Sequence, residues 1–151
     1  LILGCTAAGG PNAVRAEKHV TDTLTARDKG FEELTQLMRP FVYDSSTPDD
    51  RIEEDLAIRR KWFPKAEAYR AQLQAIFAWE AYSRLDKITA STLVIHGEGD
   101  QLVPPGNGKL IASRIAGSKL VMLPRASHIF STDQPEASRK AIIEFLAAQA
   151  P

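Results

Sequence analysis

The stretch Thr92-Leu93-Val94-Ile95-His96-Gly97-Glu98-Gly99-Asp100 decides the fold of this 151-residue chain. Its apolar, β-branched start indicates a buried strand, and the glycines that follow indicate a loop. The same arrangement recurs at Lys119-Leu120-Val121-Met122-Leu123, which leads into Ala126-Ser127-His128. The sequence therefore predicts that an acid, Asp100, and a histidine, His128, lie on the loops after two buried strands.

Residues 85–151 alternate between strand and helix, which predicts a parallel sheet built from right-handed βαβ units. The strands are predicted at 91–95 and 119–123, with helices at about 104–116 and 135–148. Residues 1–10 form a third apolar strand and a small-residue exit loop, a pattern typical of a strand buried on both faces.

Residues 11–84 contain almost no strand pattern, and their apolar residues recur at helical spacing. Helix boundaries are predicted from Pro40, which would stop the second helix, and from Thr47, which would cap the third with Pro48 at its first position. The sequence thus predicts a helical segment, 11–84, between a first core strand, 1–10, and a C-terminal α/β core, 85–151. The predicted helices cover 12–27, 30–39, 48–62 and 65–84.

Composition excludes several classes of function. The chain is long enough for one domain with a real core, and 44% apolar and 25% charged residues are ordinary for a globular protein. Nineteen basic and nineteen acidic residues cancel, so nothing favours a nucleic-acid or membrane partner. The apolar runs fall short of the roughly 20 residues that span a bilayer. A single cysteine excludes an internal disulfide and favours a reducing compartment, so we predict a cytoplasmic protein.

The residues at 93–104 and 123–128 resemble the acid and histidine loops of the α/β-hydrolase family, in particular members with a helical cap inserted between two strands. The family's strand and exit loop that lead into the cap are similar to residues 4–11. Its C-terminal end is similar to residues 133–136 and to the amphipathic helix at 142–146. The resemblance implies the C-terminal part of an α/β-hydrolase fold: parallel strands, flanking helices and an inserted all-helical cap. The chain departs from the family in lacking a Gly-x-Ser-x-Gly turn and an oxyanion loop, and in carrying Ser127 where glycine is usual.

The resemblance also implies catalytic roles. Imidazole titrates close enough to neutrality to take a proton from a serine hydroxyl, and a carboxylate holds the imidazole in the required tautomer. His128 would be this base and Asp100 this acid, at a distance of about 2.6–3.2 Å. Two alternatives remain open from the residues alone: Asp100 is a turn residue and His128 an ordinary loop histidine, or Glu98 is the acid.

Other candidate residues are weaker. His96 is interpreted as a structural residue at a strand end, Cys5 as a buried thiol, and His19 as a surface residue, while Thr6 could face the site. No His, Cys or carboxylate cluster has metal-ligand spacing, and no phosphate-binding glycine motif is present, so we expect neither a metal nor a cofactor.

Aromatic residues of the helical segment have two interpretations. Most should pack between helices, but on a cap some would line an apolar pocket for a small hydrophobic ester, lactone or similar substrate. The residues predicted to bind substrate are Tyr69, Phe77 and Trp79.

The sequence predicts the C-terminal portion of a serine-type hydrolase, because it supplies an acid, a base and a cap but no nucleophile turn. A start at Leu1, within a predicted strand, suggests truncation. The isolated chain should then be inactive, and should form homo-oligomers or bind a chain that carries the missing half. The alternative is a non-catalytic hydrolase-like module that binds a ligand or itself.

Overall fold

The computed structural model describes residues 1–26 and 29–149. Two strands of the sheet are separated along the chain by a run of helices, and the second half alternates strand and helix. In chain order the elements are β1 (Ile2–Gly4), α1 (Lys18–Leu24), α2 (Phe31–Val42), α3 (Asp49–Lys61), α4 (Ala66–Ala78), a 3₁₀-helix (Tyr82–Lys87), β2 (Leu93–Gly97), α5 (Gly106–Arg114), β3 (Lys119–Leu123), α6 (Phe130–Asp133) and α7 (Pro135–Ala147). We refer to residues 18–78 as the helical region.

The three strands form a parallel sheet in the order β1-β2-β3, which confirms the predicted strand direction. The register pairs Ile2 with Leu93 on one side of β2 and Leu93 with Lys119 on the other. Every residue of the central strand β2 is buried, whereas Ile2 of β1 is exposed. The expectation that the first strand is buried on both faces was therefore wrong: Leu3 packs into the core, but Ile2 on the opposite face is 37% exposed.

The core lies on both faces of β2, because successive side chains of a strand point to opposite sides. Leu93 and Ile95 pack against Phe145 of α7 on one face, and Val94 packs against Ile111 of α5 on the other. Burying one such side chain contributes roughly 1.5–3 kcal/mol to the stability of the folded chain. The two helices thereby fix β2, and with it the loop that follows its carboxyl end.

Tertiary contacts shift two of the predicted helix starts. The helix predicted from residue 12 begins at Lys18, because the backbone N–H and carbonyl of Val14 bond instead to the Asn107 side chain, at 2.9 and 2.8 Å. Its predicted last residue, 27, lies outside the described residues. The third helix begins at Asp49 with Pro48 as its N-cap residue, because the Thr47 hydroxyl bonds to Asp133 rather than capping the helix.

Two predicted helix ends also move. Pro40 does not stop α2, which continues to Val42, because a proline in the last turn removes only one intrahelical hydrogen bond. The helix predicted over 65–84 ends at Ala78 and is followed by the 3₁₀-helix, which spans the predicted boundary at 84. Residues 79–81 hydrogen-bond to the loop after β1 instead, through Gly10 N–Trp79 O at 3.1 Å and Ala81 N–Ala8 O at 2.8 Å.

Among the described residues, no helix is both long and apolar enough to cross a membrane.

Candidate active site

Asp100 and His128 lie next to one another at the carboxyl edge of the sheet. Asp100 follows β2 and His128 follows β3, and parallel strands bring such loops to the same edge. The His128 Nδ1 lies 3.0 Å from Asp100 Oδ2, within the predicted range. Because an ionised carboxylate can only accept a hydrogen bond, Nδ1 carries the proton and donates a hydrogen bond to Asp100.

Two further donors hold the Asp100 carboxylate, which is only 2% exposed. The Val103 N–H donates to Oδ1 at 2.8 Å, and His96 Nε2 lies 3.4 Å from Oδ2. Burial by itself raises the pKa of this carboxyl, but the interactions with His128, His96 and the Val103 N–H together outweigh burial and hold the pKa below its ordinary value of 3.8. Asp100 is therefore an ionised acid with its oxygens fixed in place.

His96 contacts the acid, a role that the sequence did not indicate. Its ring is completely buried, and Nε2 lies 2.8 Å from the Val103 carbonyl, which can only accept a hydrogen bond. Nε2 therefore carries a proton that faces both this carbonyl and Asp100, while Nδ1 has no partner among the described residues. A Cβ at Gly108 would lie 2.7 Å from Nδ1, so glycine lets α5 pack directly on the ring.

The acid and histidine loops are hydrogen-bonded to one another. Glu98 N donates to Leu123 O at 3.0 Å, and Gly99 N donates to Ala126 O at 2.8 Å. Gly97 permits this approach, because a Cβ there would lie 2.2 Å from the backbone oxygen of Ser127. The two catalytic candidates are thus positioned as one unit.

Cys5 lies behind the acid as a buried thiol. Its Sγ accepts the Gly97 N–H at 3.4 Å and contacts Ser127 O at 3.6 Å, and burial raises the pKa of Cys5 to about 12. Ligand atoms of Cys5, His96 and Asp100 lie within 4.8 Å of one another. This donor set does not suit a cation, because the thiol stays protonated and His96 presents an N–H rather than a lone pair.

Comparison with known proteins identifies the family and the fold of the chain. The α/β-hydrolase family described as TAP-like protein matches residues 73–150, about half of the chain. The chain belongs to the α/β-hydrolase family. The enol-lactonase from Burkholderia xenovorans LB400 superimposes with a TM-score of 0.77 at 29% identity, over 97% of this chain and 55% of that one. A thermophilic esterase from Thermogutta terrifontis gives 0.77 at 26% identity, over 98% and 55%.

The curated hydrolases that the chain resembles are also about twice as long as the chain. The 2-hydroxy-6-oxo-6-phenylhexa-2,4-dienoate hydrolase of Burkholderia cepacia is 27% identical over 123 residues, which cover 80% of this chain and 43% of that enzyme. The chain spans about half the length of the curated relatives it matches. The predicted α/β-hydrolase fold, with parallel strands and flanking helices, is confirmed.

The remaining candidate residues make no hydrogen bond to the pair within the described residues. The Tyr69 hydroxyl donates to Leu24 O at 2.8 Å, and Phe77 and Trp79 are 56% and 52% exposed. Within the described ranges, none of the three hydrogen-bonds to Asp100 or His128, and their assignment to substrate stays a prediction. Glu98 is exposed and makes no side-chain bond to His128 there, so the geometry favours Asp100 as the acid.

Proposed function

We propose that this chain supplies the acid, the base and the cap of a serine-type α/β-hydrolase. The observation that supports this proposal is the 3.0 Å pair of Asp100 and His128 on the two loops at the carboxyl edge of the sheet. The helical region, which lies between β1 and β2 in the chain, is the proposed cap. The single, buried Cys5 fits a cytoplasmic location.

In the proposed mechanism, His128 is the general base. Its Nδ1–H is directed to Asp100, so Nε2 is left to take the proton of a serine hydroxyl and later return it to the leaving group. Nε2 has no hydrogen-bond partner within residues 1–26 and 29–149, and the side chain is 25% exposed. The ionised Asp100 stabilises the imidazolium that forms as the hydroxyl attacks the substrate carbonyl.

The proposed substrate is a small hydrophobic ester, lactone or related carbonyl compound. Two exposed aromatic rings, Phe77 in α4 and Trp79 directly after it, supply apolar surface for such a molecule. An enol-lactonase, an esterase and a dienoate hydrolase are among the similar proteins. All three names describe hydrolases of carbonyl compounds, and an acid–histidine pair can serve that chemistry.

We expect no hydrolase turnover from these 151 residues alone. They contain no Gly-x-Ser-x-Gly turn or recognisable oxyanion loop, and loss of a single oxyanion donor already lowers kcat by roughly 10²–10³. The test is labelling of the purified chain by a fluorophosphonate probe, together with p-nitrophenyl ester hydrolysis in the wild type and in His128→Ala. Stoichiometric labelling, or hydrolysis that His128→Ala abolishes, would overturn this expectation.

A second test separates a catalytic portion from a non-catalytic module. The chain is mixed with a polypeptide that carries the Gly-x-Ser-x-Gly portion of a related enzyme, and ester hydrolysis is followed. The proposed function predicts activity that is lost with His128→Ala and with Asp100→Asn. Recovered activity that persists in both variants would contradict the assigned roles and favour the module.

We also expect the chain to associate through β1. The outer edge of β1 is unpaired within the described residues, and Leu1 and Ile2 are exposed beside it. Unpaired edges and apolar patches recruit other chains, so a homo-oligomer, or a complex with a chain carrying the nucleophile, is the expected species. Light scattering across a tenfold dilution measures this, with Ile2→Lys expected to shift the mass towards monomer.

The matched control for association is Ile58→Lys, which places the same charge at an exposed isoleucine of α3. It should leave the mass distribution unchanged. A concentration-independent monomer mass for the wild type would show that association through β1 is wrong.

A further inference from the structure

A second buried carboxylate, Asp133, lies close in the chain to His128 and takes no part in the proposed mechanism. Asp133 Oδ2 accepts the backbone N–H of Ser127 at 2.6 Å, and Oδ1 accepts the Thr47 hydroxyl at 2.7 Å. All three residues are buried. We call Thr47, Ser127 and Asp133 the latch, because together they connect the helical region to the residue that immediately precedes His128.

The same loop is bonded to the carboxyl end of α2. The Ser127 hydroxyl lies 3.0 Å from Phe41 O and 3.3 Å from Gly99 O, and Ile129 N donates to Val42 O at 2.9 Å. The last carbonyls of a helix have no intrahelical donor, so they are free to accept these bonds. The residues on both sides of His128 are therefore bonded to the helical region, and Ser127 is also in contact with the acid loop.

The chemistry of Asp133 makes this arrangement specific. A buried carboxylate is costly unless donors satisfy its oxygens, and here the donors are a backbone N–H and a hydroxyl from distant parts of the chain. A shift of either partner leaves a carboxylate oxygen unsatisfied, so the latch resists small displacements of the loop. The Ser127 peptide, and with it the backbone of His128, is held in one position.

We propose that Ser127 and Asp133 are positioning residues for His128, and that they couple its position to Thr47 in the helical region. The proposal rests on the proposed function only in treating His128 as the base. The Ser127 hydroxyl provides a bond to α2 that a glycine at this position could not make. Movement of the helical region relative to the sheet then displaces the base, so the cap and the base change position together.

The test follows the Nδ1–H proton of His128 by NMR in the chain itself. This resonance is assigned as the low-field signal that disappears in both Asp100→Asn and His128→Ala, because His96 also presents an N–H to Asp100. Thr47→Val removes the latch hydroxyl with little change of shape, and Ser127→Gly removes the hydroxyl that contacts Phe41 O and Gly99 O. Losing one buried hydrogen bond should raise the exchange rate of the His128 proton with water roughly tenfold in each variant.

Thr89→Val and Ser131→Ala are the matched controls, because both positions are exposed and lie outside the latch. They should leave the exchange rate unchanged. Unfolding midpoints are measured beside the exchange rates: a merely structural latch would lower the midpoint but leave the His128 proton of the folded chain unaffected. If the His128 proton exchanges at the wild-type rate in both Thr47→Val and Ser127→Gly, the latch proposal is overturned, but the Asp100–His128 hydrogen bond is not. Absence of any Asp100-dependent low-field signal in the wild type overturns the pair itself.

Discussion

Replacing Gly97 by alanine is expected to destabilise the chain by about 3 kcal/mol or more, a large part of the 5–15 kcal/mol that holds a typical domain together. A Cβ at this position would lie 2.2 Å from Ser127 O and 2.5 Å from Ala126 O. Both are backbone atoms that cannot rotate away, so either β2 or the histidine loop has to move. Movement of the loop also breaks the Gly99 N–Ala126 O hydrogen bond and shifts His128 away from Asp100.

Urea unfolding of Gly97→Ala measures this effect, and Gly30→Ala is its control. Gly30 precedes α2 at φ −73°, and a Cβ there would meet no atom within 4 Å. Alanine is therefore expected to change stability by no more than about 1 kcal/mol, because a smaller entropy of the unfolded chain is offset by the weaker preference of alanine for this N-cap position. An unfolding midpoint for Gly97→Ala equal to that of the wild type would show that the two loops are not packed as closely as the geometry requires.

Sequence reasoning located the sheet and the candidate pair because both depend on local patterns. The apolar runs before Asp100 and His128 identify β2 and β3, and a parallel arrangement of these strands brings the following loops together. The 3.0 Å contact between the two side chains is a consequence of this topology.

Helix boundaries were less predictable, because contacts distant in sequence override local propensity. Thr47 before Pro48 has the pattern of an N-cap, yet its hydroxyl bonds to Asp133, 86 residues further along the chain. Val14 is likewise held by Asn107, 93 residues away, which delays the start of α1. Neither partner can be identified from local spacing.

The surroundings of the candidate pair were also missed. The sequence interpretation of His96 as a structural residue rests on its place before a glycine at a strand end, and no local pattern indicates its 3.4 Å approach to Asp100. The sequence marks Ser127 only as a departure from the usual glycine, whereas its hydroxyl contacts the carbonyls of Phe41 and Gly99. Such contacts depend on how the helical region packs on the sheet, and no local pattern encodes that packing.

The pH dependence of stability provides a direct test of Asp100. At pH 7 the Asp100→Asn variant is expected to lose about 3 kcal/mol of folding stability. The asparagine side chain would present an NH₂ group, which cannot accept, and a neutral oxygen, which accepts more weakly, to the N–H groups of His128, His96 and Val103. The Glu98→Gln control removes a carboxylate two positions away that is exposed to solvent. This control should stay within about 0.5 kcal/mol of the wild type.

The stability difference between wild type and Asp100→Asn should shrink in acid. The pKa of Asp100 is lower in the folded chain than its ordinary value of 3.8, so the ionised carboxylate stabilises the folded state. That contribution is fully present above the unfolded-state pKa and is lost as the pH falls through the folded-state pKa. Urea unfolding at pH 7, 5 and 3 should therefore show a smaller difference at pH 3 than at pH 7 or 5. An equally large difference at pH 3, or none at pH 7, would mean that the hydrogen bonds to Asp100 do not favour its ionised form.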